Sequence, residues 1–299
     1  MANILNLLSE ETYAEKMNEQ NALLRGVVLA LGGETSYQVS SWATVQNLVR
    51  TGIAARVFQI GDQLVCNHST YGTLTWDIIG IDQDTPVDTN YTHSLTLQTH
   101  DVLPATFQFD APETNNEDAN RKSTGSNNWK ESALRQWLNT SKDAGTWWTA
   151  QTDYDVAPSY AGSTDGFIKG LDADFAECVG AVTKITARNT VTDGGGSDTT
   201  EDKFFIPSLT EVYGGQNNSI DEGIAYAYYK DNSTLTAAGT GNDTNRIKYK
   251  NGSTSGQAWW LRSPNPSNST FVRNVDGTGY VSRGGASSSC GVAPACCII

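Results

Sequence analysis

The spacing of apolar positions changes period several times along this chain. Between residues 9 and 31, Ala14, Met17, Asn21, Leu24, Val28 and Leu31 recur at alternating intervals of three and four. That spacing is the seam of an amphipathic helix with one polar Asn in it. Ser9 is placed to cap the helix, Glu10 and Glu11 favour its positive end, and Gly32-Gly33 stops it. The seam fits a short coiled coil, and equally a helix packed on its own domain. A second helix is predicted over Trp42–Arg50, opened by Ser40 or Ser41 and closed by Gly52, with Trp42, Val45 and Val49 on one face.

Beyond it the period shifts towards two. Residues 57–66, 73–81 and 94–102 read as strands bounded by Gly, Asp, Asn and Pro, which predicts an antiparallel meander. A helical pattern returns over 128–140, where Ala133, Leu134, Trp137 and Leu138 share a face. Loops follow, with apolar islands at 175–185, 204–207 and 224–229. Short strands are predicted around 259–261, 271–275 and 280–282, with Asp276-Gly277 as a tight turn between the last two. The expected architecture is α+β: a helical region over 1–52 able to oligomerise, and one domain over 53–299.

Charge narrows the function. With 33 acidic against 20 basic residues and a net charge of −13, the chain lacks the basic stripe that binding to a nucleic-acid backbone requires. No basic start runs into an apolar stretch, so no secretory signal is expected. No apolar run is long enough for membrane insertion either. Five cysteines at irregular spacing do not form a disulfide framework and suit a reducing cytoplasm.

Chemistry-bearing motifs are sparse. His68, His93 and His100 stand outside any metal-binding or nucleophile-activating spacing and read as structural. The acidic pairs Asp82/Asp84 and Asp172/Asp174 carry oxygen donors without the spacing of a calcium loop, so neither a metal nor a cofactor is expected. Cys296 and Cys297 are adjacent, too close for an unstrained bridge, and are expected to be buried as small apolar groups at a domain end. The tryptophan pairs Trp147-Trp148 and Trp259-Trp260 could stack on sugars. Adjacent side chains on a strand diverge, however, so at most one of each pair can face a ligand.

The last segment differs from the rest. Residues 265–299 contain no Lys, Glu, Gln, Met or Trp, although these types fill 44 of the first 264 positions. At that rate the absence has a chance of roughly a few in a thousand. Tyr, Ser, Gly and Arg are mixed there without amphipathic logic inside a regular frame, the vocabulary of adaptable binding surfaces.

The frame W-W-L-R-S-P (259–264), V-R-N-V (272–275) and G-V-A-P (291–294) resembles the variable proteins of diversity-generating retroelements, carried by phages and bacteria. In that family Asn codons are randomised at their adenines and can never become Lys, Glu, Gln, Met or Trp, the set missing here. The stretches 41–50, 128–139 and 204–212 also look like phage tail-associated proteins of this architecture, so the resemblance covers most of 40–299. It implies a C-type-lectin-like fold of the formylglycine-generating-enzyme type.

It also implies exchangeable, ligand-facing residues at Thr270, Phe271, Tyr280, Ser282, Arg283, Gly284, Gly285, Ser287, Ser288 and Cys290, with Asp276, Thr278 and Cys296 as further members. Trp259, Trp260, Leu261, Arg262, Val272, Val275, Val281, Val292 and Pro294 would be scaffold. The implied function is non-enzymatic: a phage tail adhesin of the virion, made in the bacterial cytoplasm, trimeric, and binding a bacterial cell-surface protein or glycan. Phe271, Tyr280 and Arg283 would be its anchors. Two alternatives stand beside it: a carbohydrate-binding module using tryptophan and calcium, and a formylglycine-type oxidase on the same fold.

Overall fold

The computed structural model describes residues 36–38, 41–229, 244–250 and 252–299, and the protein is α+β with strands predominating. In chain order the strands are β1 (Ser36–Gln38), β2 (Gln63–His68), β3 (Gly72–Ile81), β4 (Leu95–Thr99), β5 (Thr106–Gln108), β6 (Val179–Gly180), β7 (Val182–Ala187) and β8 (Ser197–Asp202). They continue as β9 (Phe204–Phe205), β10 (Lys248–Tyr249), β11 (Gly256–Gln257), β12 (Trp259–Pro264), β13 (Phe271–Val275), β14 (Val281–Gly285), β15 (Ser289–Gly291) and β16 (Ala295–Ile298). The helices are short: α1 (Trp42–Arg50), α2 (Ala54–Val57), α3 (Ala119–Thr124), α4 (Ala133–Leu138), α5 (Ala173–Cys178) and α6 (Leu209–Tyr213).

The larger sheet runs β1-β2-β3-β4-β16-β6, with β9 also paired to β16, and the second runs β14-β13-β12-β15-β5. Two hairpin-like pairs, β7-β8 and β10-β11, complete the strands. Every residue of β4 is buried because it lies between β3 and β16 with both faces covered. β16 is wholly buried for the same reason. Cys296 and Cys297 therefore sit in the middle of a sheet, not at a domain end. All five cysteines are free and buried, and small side chains suit a strand packed on both faces.

Helix α1 matches its expected span, and the Ser41 hydroxyl accepts from Thr44 N at 3.3 Å. Its apolar face enters the main core, where the Trp42 and Phe175 rings are 4.5 Å apart. Gln46 Nε2 and Arg50 Nε donate to the Ile299 carbonyl at 2.7 and 3.2 Å. The helix is thus bound to the body of the domain, and a boundary at residue 52 does not separate the two. The helical seam expected over 9–31 lies outside the described residues.

Elsewhere the period overestimated element length. Residues 57–62 are not strand: the Asp62 carboxylate accepts from Gln59 N at 2.8 Å in a turn, and pairing starts at Gln63. The helix expected over 128–140 shrinks to Ala133–Leu138, because Asn128 Oδ1 accepts from Lys130 N ahead of it and Ser132 Oγ caps its first turn by accepting from Arg135 N. The strand expected over 280–282 begins at Val281 and continues to Gly285, and β15 and β16 follow it unforeseen.

The second sheet divides two apolar clusters. Adjacent residues on a strand point to opposite faces, so Trp260, Val272 and Cys290 join the larger cluster while Trp259, Leu261, Val275 and Ala293 join the smaller one. Among the described residues no helix is long and apolar enough to cross a membrane.

Candidate ligand-binding surface

The site is built outward from β12. Trp259 Nε1 donates to the Arg246 carbonyl at 3.0 Å and Trp260 Nε1 to the Phe107 carbonyl at 2.9 Å, so both indoles are buried on opposite faces and neither meets solvent. Trp147 is buried too and donates to the Thr164 carbonyl. Sugar stacking by these three indoles is closed off, and Trp148 is half-buried against the core.

Arg262 is fully buried. Its guanidinium donates to Glu211, Thr186 and the carbonyls of Ile185, Ile206 and Glu222. Glu211 at the same time closes a capping box with Ser208 at the start of α6. Ser263 donates to Glu222 and accepts from Leu209 N. The W-W-L-R-S-P run is therefore a buried anchor on which the hairpin β13–β14 is mounted.

In that hairpin Phe271 faces Gly285, Val272 faces Gly284, Arg273 faces Arg283, Asn274 faces Ser282 and Val275 faces Val281. The connecting turn is longer than a two-residue one. The Asp276 carboxylate accepts from Thr278 N, Thr278 Oγ1 and Tyr280 N, while Gly279 takes a positive φ of 87°. Gly277 is needed for a different reason: a Cβ there would collide with the Gly256 carbonyl. β14 is the outer strand of its sheet, with β13 as its neighbour.

Of the residues singled out on sequence, Tyr280, Ser282, Arg283 and Ser288 are exposed, as is Thr278. Phe271 and Ser287 are half-buried. The Arg283 guanidinium lies 5.2 Å from the Phe271 ring centroid, a cation–π contact. Tyr280 stands at the turn end of the hairpin, so the three expected anchors do not form one cluster.

Other members are corrected. Thr270 is buried, its N–H and hydroxyl both donating to Asn268 Oδ1. Cys290 is buried against the main core opposite Phe107, and burial pushes its thiol up to about 12. Cys296 lies in β16 with no surface at all. Asp276 organises the turn. Gly284 and Gly285 are half-buried with little room: added Cβ atoms would lie 2.8 Å from Trp260 Cη2 and 2.6 Å from Thr124 Cγ2. At Gly284 the rigid indole leaves no room for a side chain, whereas at Gly285 the Thr124 methyl would have to turn aside. Arg273, absent from the sequence-derived set, shares the face of Phe271 and Arg283. Its signal was the two-residue step from Phe271 along one strand.

A separate cavity of about 270 Å³ has Asp84, Lys184 and Glu211 in its wall. Lys184 Nζ donates to Asp84, to Glu211 Oε1 at 3.1 Å and to the Tyr226 hydroxyl at 2.9 Å, which uses all three of its protons. Burial opposes its charge, but the two carboxylates outweigh burial and raise its pKa. This network satisfies itself and leaves no free donor for a ligand. Asp84 is committed to it, Asp82 contacts His93, and Asp172 caps Asn67 N, so the acidic pairs serve structure. His68 Nε2 lies 3.0 Å from the Phe167 carbonyl, and burial lowers its pKa. Among the described residues no group of three or more His, Cys, Asp or Glu is arranged to hold a metal ion.

These features define an α+β domain with a buried polar anchor and an exposed C-terminal hairpin. The chain belongs to the family of the domain of unknown function DUF6273, whose model matches residues 93–299. No curated protein matches the chain, and no solved structure matches it.

Proposed function

We propose that the protein is a non-enzymatic ligand-binding protein with a C-type-lectin-like fold and a retroelement-diversified hairpin, acting as a phage tail adhesin for a bacterial cell-surface ligand. One observation carries the reading. Tyr280, Ser282, Arg283 and Ser288 reach solvent, whereas the interleaved frame residues Trp259, Trp260, Leu261, Arg262, Val272, Val275 and Val292 are fully buried. Exchange at the first group leaves the core packing unchanged. Several copies per particle, assembled as a trimer, turn modest contacts into avidity.

The test has two parts. Sibling sequences from the same source should differ at the exposed hairpin positions and keep the frame. A variant with Tyr280, Ser282, Arg283 and Ser288 all replaced by Ala should lose adsorption to host cells while its unfolding midpoint holds. Differences scattered evenly over 93–299, or undiminished adsorption, would sink the reading. A monomer in sedimentation would remove the trimer.

A further inference from the structure

We propose that Arg273 and Arg283 form an anion-binding subsite that takes a sugar carboxylate of a sparsely charged acidic surface glycan; this rests on the hairpin being the recognition surface. The two arginines are directly opposite on neighbouring strands, an arrangement of like charges that disfavours the sheet unless something offsets it. Three arginines in this acidic chain have carboxylates: Arg262 has Glu211, Arg135 has Asp202 and Arg121 has Asp193. Among the described residues neither Arg273 nor Arg283 has an ion-pair or side-chain hydrogen-bond partner. Arg273 Nε is moreover out of solvent with no acceptor. Burial, and after it the charge of Arg283, lower the Arg273 pKa against the smaller opposing pull of Glu222, in keeping with two cations facing each other.

The occupant follows from the surroundings. A planar guanidinium fork matches a planar carboxylate, and Arg283 is held in place on the Phe271 ring. At the next pair on the same face, Gly285 leaves Ser288 Oγ 3.5 Å from its Cβ position, with the Thr124 methyl beside it. A serine hydroxyl thus lies by the neighbouring pair and suits a sugar hydroxyl. The net charge of −13 repels dense polyanions such as nucleic acid or polyphosphate, leaving isolated carboxylates as the fitting partner.

Full-length protein is titrated with a glucuronate-containing disaccharide, its carboxyl-reduced neutral counterpart and glucose 1-phosphate by calorimetry. The glucuronate sugar should bind, the reduced sugar about tenfold more weakly, and added salt should weaken the difference. Arg283→Ser and Arg273→Gln should each abolish the preference, and Arg283→Lys should restore part of it. Equal binding of charged and reduced sugars, stronger binding of the phosphate, or an unchanged preference in Arg283→Ser would overturn the assignment. Host-cell adsorption separates the two levels. Loss with Tyr280→Ala and Ser282→Ala but not with Arg283→Ser rejects the anion subsite and keeps the hairpin. Indifference to all three rejects the hairpin as well.

Discussion

Glu211 and Arg262, 51 residues apart in the chain, meet as a bidentate pair in which Nη1 donates to Oε2 at 2.5 Å and Nη2 to Oε1 at 2.9 Å. The pair ties the capped start of α6 to the strand that supports the hairpin. Removing one partner strands a charge away from water. Arg262→Met should therefore cost about 3–5 kcal/mol in urea unfolding, whereas exposed Ser282→Ala should stay within about 0.5 kcal/mol. A loss below about 1 kcal/mol for Arg262→Met would show that the network relaxes or takes up solvent.

Gly284 packs on the Trp260 ring edge. Gly284→Ala should destabilise by about 1–3 kcal/mol through overpacking. In a Trp260→Phe background, which lacks the colliding Cη2 atom, the same change should cost less. Equal costs in both backgrounds would mean that the ring edge is not what excludes a side chain there.

All five thiols are buried, and burial pushes Cys66 and Cys290 each up to about 12. The thiolate is the reactive form, so a disulfide-exchange reagent at neutral pH should label essentially none of them in native protein and all after denaturation. Rapid native labelling of one thiol would locate an opening of the fold.

The His100 ring contacts the buried Asp77 carboxylate at 3.0 Å, and this hydrogen bond raises the His100 pKa above its ordinary 6.5, despite opposition from burial. Stability from the contact is complete below that ordinary value and is lost as pH rises through the folded value. The difference in urea midpoint between wild type and His100→Gln should be large near about pH 5.5 and shrink towards about pH 8. A difference that grows with pH would contradict the pairing.

Local pattern revealed α1 to the residue, because its apolar face and Ser41 cap act over a few neighbours. It also placed Phe271–Val275 correctly. It missed β16, whose Ala-Cys-Cys-Ile run has no alternation, since a strand packed on both faces has none to show. Solvent exposure was legible for Tyr280, Ser282, Arg283 and Ser288. It failed for Thr270 and Cys290, where composition reports residue type but not orientation.

The sequence by itself determined the α+β pattern, the lack of dedicated metal and nucleophile motifs, and the segment in which the unusual composition lies, because these depend on spacing and residue type. Tertiary structure alone decided which of those residues reach solvent and which arginines have carboxylate partners. Both depend on what a strand register sets opposite and beneath each side chain, and such contacts join residues far apart in the chain.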